Sequence, residues 1–226
     1  MPPDLPNWLP WLLQVNDSQF PSGAYAHSLG LEELVQAGVV KRPEDLETFL
    51  QQQVIPSLKA FELPLLAAAH ACATSEDADG LHALDEELDA WKLSAELRAA
   101  SRQLGSRRLA LIRQLDDTPF SAHYAERNAP CHHLIICALE LRSLPVTAAA
   151  CAFAQQTISG YATAAMKLMR LGQENCQRIV RRSVVALAPH LESSTTAPLA
   201  QAGWFNPLLE IASMRHAHAH ERLFIS

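Results

Sequence analysis

Residues 93–115, LSAELRAASRQLGSRRLALIRQL, decide the fold class. Leu93, Leu97, Ala100, Leu104, Leu111 and Leu115 recur at spacings of three, four or seven, which lays one apolar stripe along a helix. Arg98, Arg102 and Arg113 fall on a second stripe, because eleven residues make about three turns. Ser94, Ser101 and Gly105 form a third, narrow stripe of small side chains. Such a stripe lets another backbone approach closely, and arginines beside it can pair with a partner's carboxylates. A solvated basic face is the plainer reading of the same residues.

The helical pattern extends outward in both directions. Trp8, Trp11, Leu12 and Val15 mark a short amphipathic helix, and a second is expected from about Tyr25 to Ala37, stopped by Gly38. Arg42-Pro43-Glu44-Asp45 opens a third, with proline and acids in the first turn. Pro56 and Pro64 break or kink the chain beyond it, and Thr74 to Gly80 reads as a loop. Phe120 to Asn128 is expected to be a connector and Pro130 to Leu144 a short helix. A long alanine-rich helix runs from Pro145 to Gly172, with Lys167 and Arg170 in its last turns. Gln173 to Ala188 continues as helix, Ser193 to Thr196 as loop, and Pro207 starts a last helix. No sustained period-two alternation, repeat or domain boundary is visible. The expectation is one all-α domain over residues 1–226, a bundle of roughly eight to ten helices with a flexible C-terminal tail at about 214–226.

Composition narrows the function classes. Of 226 residues, 49% are hydrophobic, only 6% are aromatic, and the formal net charge is −6, which argues against a nucleic-acid surface. The five cysteines lack C-x-x-C spacing and read as free thiols of a cytoplasmic protein. Pro145 to Met166 is free of charge and long enough to span a bilayer. Its threonines, glutamines and serine favour a helix buried in a bundle over a membrane span.

Three motifs invite chemistry. Ala26-His27-Ser28-Leu29-Gly30 lacks only the first glycine of the G-x-S-x-G nucleophile elbow. An elbow needs a strand before it, and Asn16 to Gly23 is a loop, so Ser28 is expected in the first half of a helix. Gly23 and Gly30 are not followed by the Lys-Ser or Lys-Thr of a phosphate loop. His216, His218 and His220 alternate, so an extended tail would turn three imidazoles one way, towards nickel, copper or zinc. Cys131-His132-His133 with Cys137 lacks a standard zinc spacing. The terminal Leu223, Phe224 and Ile225 either dock on their own core or await a partner that orders them.

Four blocks together resemble one family, and they cover nearly the whole chain. Leu12 to Glu32 (LLQVNDSQFPSGAYAHSLGLE), Arg98 to Gly105 (RAASRQLG), Ala162 to Gln173 (ATAAMKLMRLGQ), and Met214-Arg-His with Arg222-Leu-Phe-Ile-Ser226 resemble urease accessory protein F, in order. The resemblance implies a non-enzymatic, all-α, homodimeric scaffold without cofactors of its own. It would join accessory protein H (D in some bacteria) and the GTPase accessory protein G, and regulate GTP-dependent nickel insertion into apo-urease. Nickel and GTP would be handled by those partners, with no nucleic acid or membrane involved. It also implies partner-binding roles. Tyr25, Ser28 and Glu32 would shape a helix start or a partner surface, and Arg98, Ser101 and Gly105 a close helix contact. Lys167 and Arg170 would face the GTPase, and Arg215, His216, Arg222, Leu223 and Phe224 a tail ordered by H or D. The alternative is a nickel metallochaperone using His216, His218 and His220.

Overall fold

In the computed structural model, which describes residues 5–226, every regular element is helical. α1 (Leu9–Val15) and a 3-10 turn (Ala24–Ala26) precede α2 (Leu31–Gln36) and α3 (Pro43–Phe49). A π turn (Leu50–Val54), α4 (Ile55–Ser57), a second π turn (Leu58–Glu62) and α5 (Leu63–Thr74) then run on without a break. After them come α6 (Ala78–Trp91), α7 (Ala95–Leu115), α8 (Pro119–Ala125), α9 (His133–Glu140) and α10 (Val146–Leu168). α11 (Gln173–Leu187), α12 (Leu191–Thr195) and α13 (Pro207–His216) complete the set.

The π turns answer the two prolines. Proline has no N–H, and its ring strikes the carbonyl four residues back, so a regular helix kinks there. Each π turn contains the threatened carbonyl, Gln52 for Pro56 and Ala60 for Pro64, and its wider turn makes room. The Ala60 oxygen, denied a proton by Pro64, accepts one from Gly203 N–H at 2.9 Å. That bond ties the loop before α13 to the middle of the molecule.

α9 is the innermost element, with all of Leu134 to Glu140 buried. It packs against α5, α7 and α10. α10 buries alanines at 149, 150, 152, 154, 162, 164 and 165, and small side chains let α2, α5, α9, α11 and α12 close around it. The uncharged run is thus a core helix, and no helix of the described residues is long and apolar enough to cross a membrane. A smaller apolar cluster around Val15, Leu141 and Leu144 seats Trp8, Trp11 and Leu12 of the N-terminal segment.

Several sequence expectations need correction. The buried face of α7 is Ala100, Ser101, Leu104, Gly105, Arg108, Leu109 and Ile112. Leu93 and Leu115, the ends of the leucine stripe, are exposed, because α9 approaches along the small residues instead. Residues 120–125, expected as a connector, belong to α8, whose Thr118 and Ser121 form a reciprocal capping box. Ser193 to Thr195 lie in α12, and Ala78 to Gly80 already belong to α6. α10 stops at Leu168, so Arg170 lies beyond it and Gly172 instead caps the start of α11.

Candidate functional site

Residues 23–30 form a shaped loop rather than the start of a helix. Gly23 and Gly30 hold φ of 84° and 88°, and Leu29 holds φ of 52°. Left-handed backbone is natural to glycine and strained for leucine. His27 is extended, so Ser28 falls three residues before α2, outside any helix. This replaces the expected helix from Tyr25.

The loop grips the end of the tail. Ile225 N–H donates to the Ala26 carbonyl at 2.9 Å, and the Ser226 carbonyl accepts from Ser28 N–H at 2.5 Å and Leu29 N–H at 3.1 Å. Ser28 Oγ donates to the same oxygen at 2.9 Å and accepts from Glu32 N–H at 3.3 Å. His27 Nδ1 meets Ser226 Oγ at 2.7 Å, not Ser28. Burial first, then the charge of Arg107, holds the His27 ring below the usual histidine range. Serine and imidazole therefore do not form a nucleophile and base; both hold the tail.

Glu32 is the centre of the site. In the first turn of α2 and buried, it accepts from Leu223 N–H at 2.7 Å and Phe224 N–H at 3.0 Å. Gln36 Nε2 reaches it at 3.3 Å, and His216 Nε2 lies 2.9 Å from its second oxygen. The other face of the His216 ring meets Glu96, with Nδ1 to Oε1 at 2.9 Å. Ser213 Oγ donates to Glu96 at 3.1 Å and touches Ser94 Oγ at 2.8 Å, so α7, α13, α2 and the tail share one network. A carboxylate has about four acceptor positions, which Glu32 fills.

Of the sequence-predicted tail residues, His216 and Phe224 are buried on their own chain, Phe224 at 5% exposure. Arg215 is exposed, Leu223 is 63% exposed, and Arg222 stands 3.7 Å from Glu96. Lys167 donates to the Tyr25 carbonyl at 2.9 Å, and its ammonium lies over the Tyr25 and Phe224 rings. Tyr25 itself is 73% exposed, and Arg170 is exposed nearby in sequence. His218 and His220 are exposed while His216 is sealed between two carboxylates, so the three imidazoles do not converge. Among the described residues no group of three or more metal-ligating side chains is brought together.

The Arg98, Ser101 and Gly105 block works inside the chain. Arg98 caps the end of α6, donating to the Lys92 carbonyl at 2.9 and 2.7 Å. Gly105 lies directly beneath the Cys131 carbonyl, and Ser101 Oγ meets His132 Nδ1 at 2.9 Å. His132 Nε2 and Arg102 share Asp89, while Cys131 and His132 donate their N–H groups to the buried Asp85. The close approach foreseen for the small stripe is that of the 131–132 backbone. Burial lowers the His132 ring to about 4, and burial followed by Arg108 lowers His133 to about 3.

Sequence reasoning missed Glu96 and the buried group around Arg108. Arg108 donates to Glu140 Oε2 at 2.6 Å and Gln156 Oε1 at 3.0 Å, and Gln156 in turn holds Val15 and Asn16. The one available signal was Arg108 standing between Leu104 and Ile112 on the same helical face.

Comparison with known proteins agrees with the four sequence blocks. A family model described as UreF matches residues 40–184. A urease accessory protein UreF from Azoarcus sp. (strain BH72) is 33% identical over 228 residues, covering 95% of this chain and 94% of that protein. Proteins of the same name from Bacillus sp. (strain TB-90) and Actinobacillus pleuropneumoniae are each 29% identical over 221 residues, covering 95% of this chain and 97% of theirs. An all-α chain whose N-terminal signature loop clasps its own C-terminal segment, matched along nearly its full length, belongs to the UreF family of urease accessory proteins, which are maturation factors and not enzymes.

Proposed function

We propose that the chain is a homodimeric scaffold that joins accessory protein H or D to the GTPase accessory protein G and regulates GTP-dependent nickel insertion into apo-urease. Nickel and GTP belong to those partners. The observation that carries this reading is the composite surface made by loop and tail. Glu32, His216, Ser28 and Phe224 fix the tail from beneath, leaving Tyr25, Leu223 and Ile225 exposed, with the exposed Arg222 next to Leu223 along the chain. Exposed apolar side chains on a backbone already anchored by hydrogen bonds suit a partner, because less ordering entropy remains to be lost on binding. Ser101 and Gly105 support this surface indirectly by fixing α7, and Lys167 does so by bracing Tyr25 against Phe224. Arg98 serves α7 in the same way, and Arg170 stands free for a GTPase contact.

Gel filtration of this chain with accessory proteins H or D and G tests the reading. One larger co-eluting species is expected. Leu223→Asp, which alters an exposed side chain, should weaken that species at least about tenfold while leaving helicity intact. Absence of any association by the unaltered chain sinks the function; association indifferent to Leu223→Asp sinks the surface.

A further inference from the structure

A second feature adjoins the tail clasp and shares Leu29 with it. A cavity of about 180 Å³ opens between the second π turn, the end of α6 and the start of α13. One enclosed water needs only ~10–15 Å³, whereas drug-sized sites begin near ~300 Å³, so the space suits a small metabolite. Pro64 creates it in part. The π turn before that proline carries Phe61 and Glu62 into the lining, and the Ala60–Gly203 bond holds Trp204 and Asn206 opposite.

The polar lining is unbalanced in a specific way. Glu62 Oε2 is buried without a hydrogen-bond partner, and so is Asn206 Nδ2, whose Oδ1 already caps α13 through Leu209 N–H. Glu210 is answered within the protein, since it accepts from Ser94 N–H at 2.7 Å and lies in the first turn of α13. Lys92 also lines the cavity. Burial lowers its ammonium and raises the Glu62 carboxyl, although each partly steadies the other, and Ser57 helps Glu62. His133 is kept neutral and Tyr161 keeps its proton, so neither adds charge. What remains without a hydrogen-bond partner is one Glu62 carboxylate oxygen and the Asn206 amide donor, with the Lys92 ammonium facing the Glu62 and Glu210 charges, beside an apolar wall of Leu97, Leu104 and Phe153. Phe61 and Trp91 stack at 5.2 Å on one side of it.

We propose that this cavity binds a zwitterionic α-amino acid with an apolar side chain. The ligand ammonium donates to Glu62, its carboxylate accepts from Lys92 and Asn206 Nδ2, and its side chain lies on the apolar wall. The Glu62 oxygen and the Asn206 amide each gain the hydrogen-bond partner they lack, which is the condition for keeping polar groups out of water.

Calorimetry on the full chain, paired with tryptophan fluorescence, compares L-leucine with L-leucinamide, which lacks the carboxylate, and N-acetyl-L-leucine, which lacks the ammonium. Leucine is expected to bind at least about tenfold tighter than either. Lys92→Met should abolish the preference over leucinamide, and Glu62→Gln the preference over N-acetylleucine, with circular dichroism confirming the fold of each. No binding of leucine up to about 10 mM, or equal binding of the three compounds, overturns the proposal. If a variant fails to fold, the three-ligand comparison on the unaltered chain decides by itself.

Discussion

Glu32 shows how much one side chain can carry. Its partners His216, Leu223 and Phe224 lie 184, 191 and 192 residues away in the chain. Its place in the LLQVNDSQFPSGAYAHSLGLE block was legible, but its role was not, because nothing local distinguishes it from the adjacent Glu33. Ser28 is the opposite case: its letters suggested a nucleophile, and only backbone geometry shows it gripping Ser226. His133 gives a residue-scale test. Its folded value of about 3 lies below the unfolded value of about 6.5, so the unfolded chain takes up the proton first as pH falls. Its contribution is therefore complete above about pH 6.5 and is lost progressively towards pH 3, at no more than ~1.4 kcal/mol per pH unit. His133→Leu should remove that dependence. Thermal unfolding at pH 7.5 and pH 5 should show the variant gaining on the unaltered chain at the lower pH, and an unchanged difference would refute the assignment.

At the scale of elements, periodicity gave helix existence and type, whereas the face each helix turns inward came from its neighbours. α7 is the clearest instance. Its leucine stripe suggested the buried side, yet the 131–132 backbone lies on Ser101 and Gly105, because only small side chains admit a backbone so closely. α8 was expected as a connector, and the reciprocal bonds of Thr118 and Ser121 cap it as a helix. Two glycines separate these effects experimentally. A methyl group at Gly105 would meet the Cys131 carbonyl, whose peptide is pinned by Asp85, so Gly105→Ala should cost about 3 kcal/mol. Gly160, inside α10 with open space around it, should gain roughly 0.5–1 kcal/mol as alanine. Urea unfolding of both variants checks the two opposite signs; a mild effect at Gly105 would mean that the loop yields.

Across the whole molecule, Arg108 fastens four regions that are distant in sequence: α7 itself, Glu140 of α9, Gln156 of α10 and the Val15 carbonyl of α1. Burial pushes the Glu140 carboxyl upward and Arg108 draws it back, so each charge depends on the other. Arg108→Met should cost about 3–5 kcal/mol by stranding Glu140, while Arg108→Met with Glu140→Leu should recover much of that loss. Chemical denaturation of the two variants measures the difference, and equal losses would show that the arginine acts through packing alone. The sequence alone determined the all-α class, most helix positions and the family, because those rest on local periodicity, caps and ordered motifs. Tertiary structure alone decided which polar side chains are buried and what each one holds. A buried charge has to be answered by a partner, and apart from Gln36, one turn from Glu32, the hydrogen-bond partners of the Glu32, Arg108 and Asp85 side chains lie from 32 to 192 residues away, beyond any helical period.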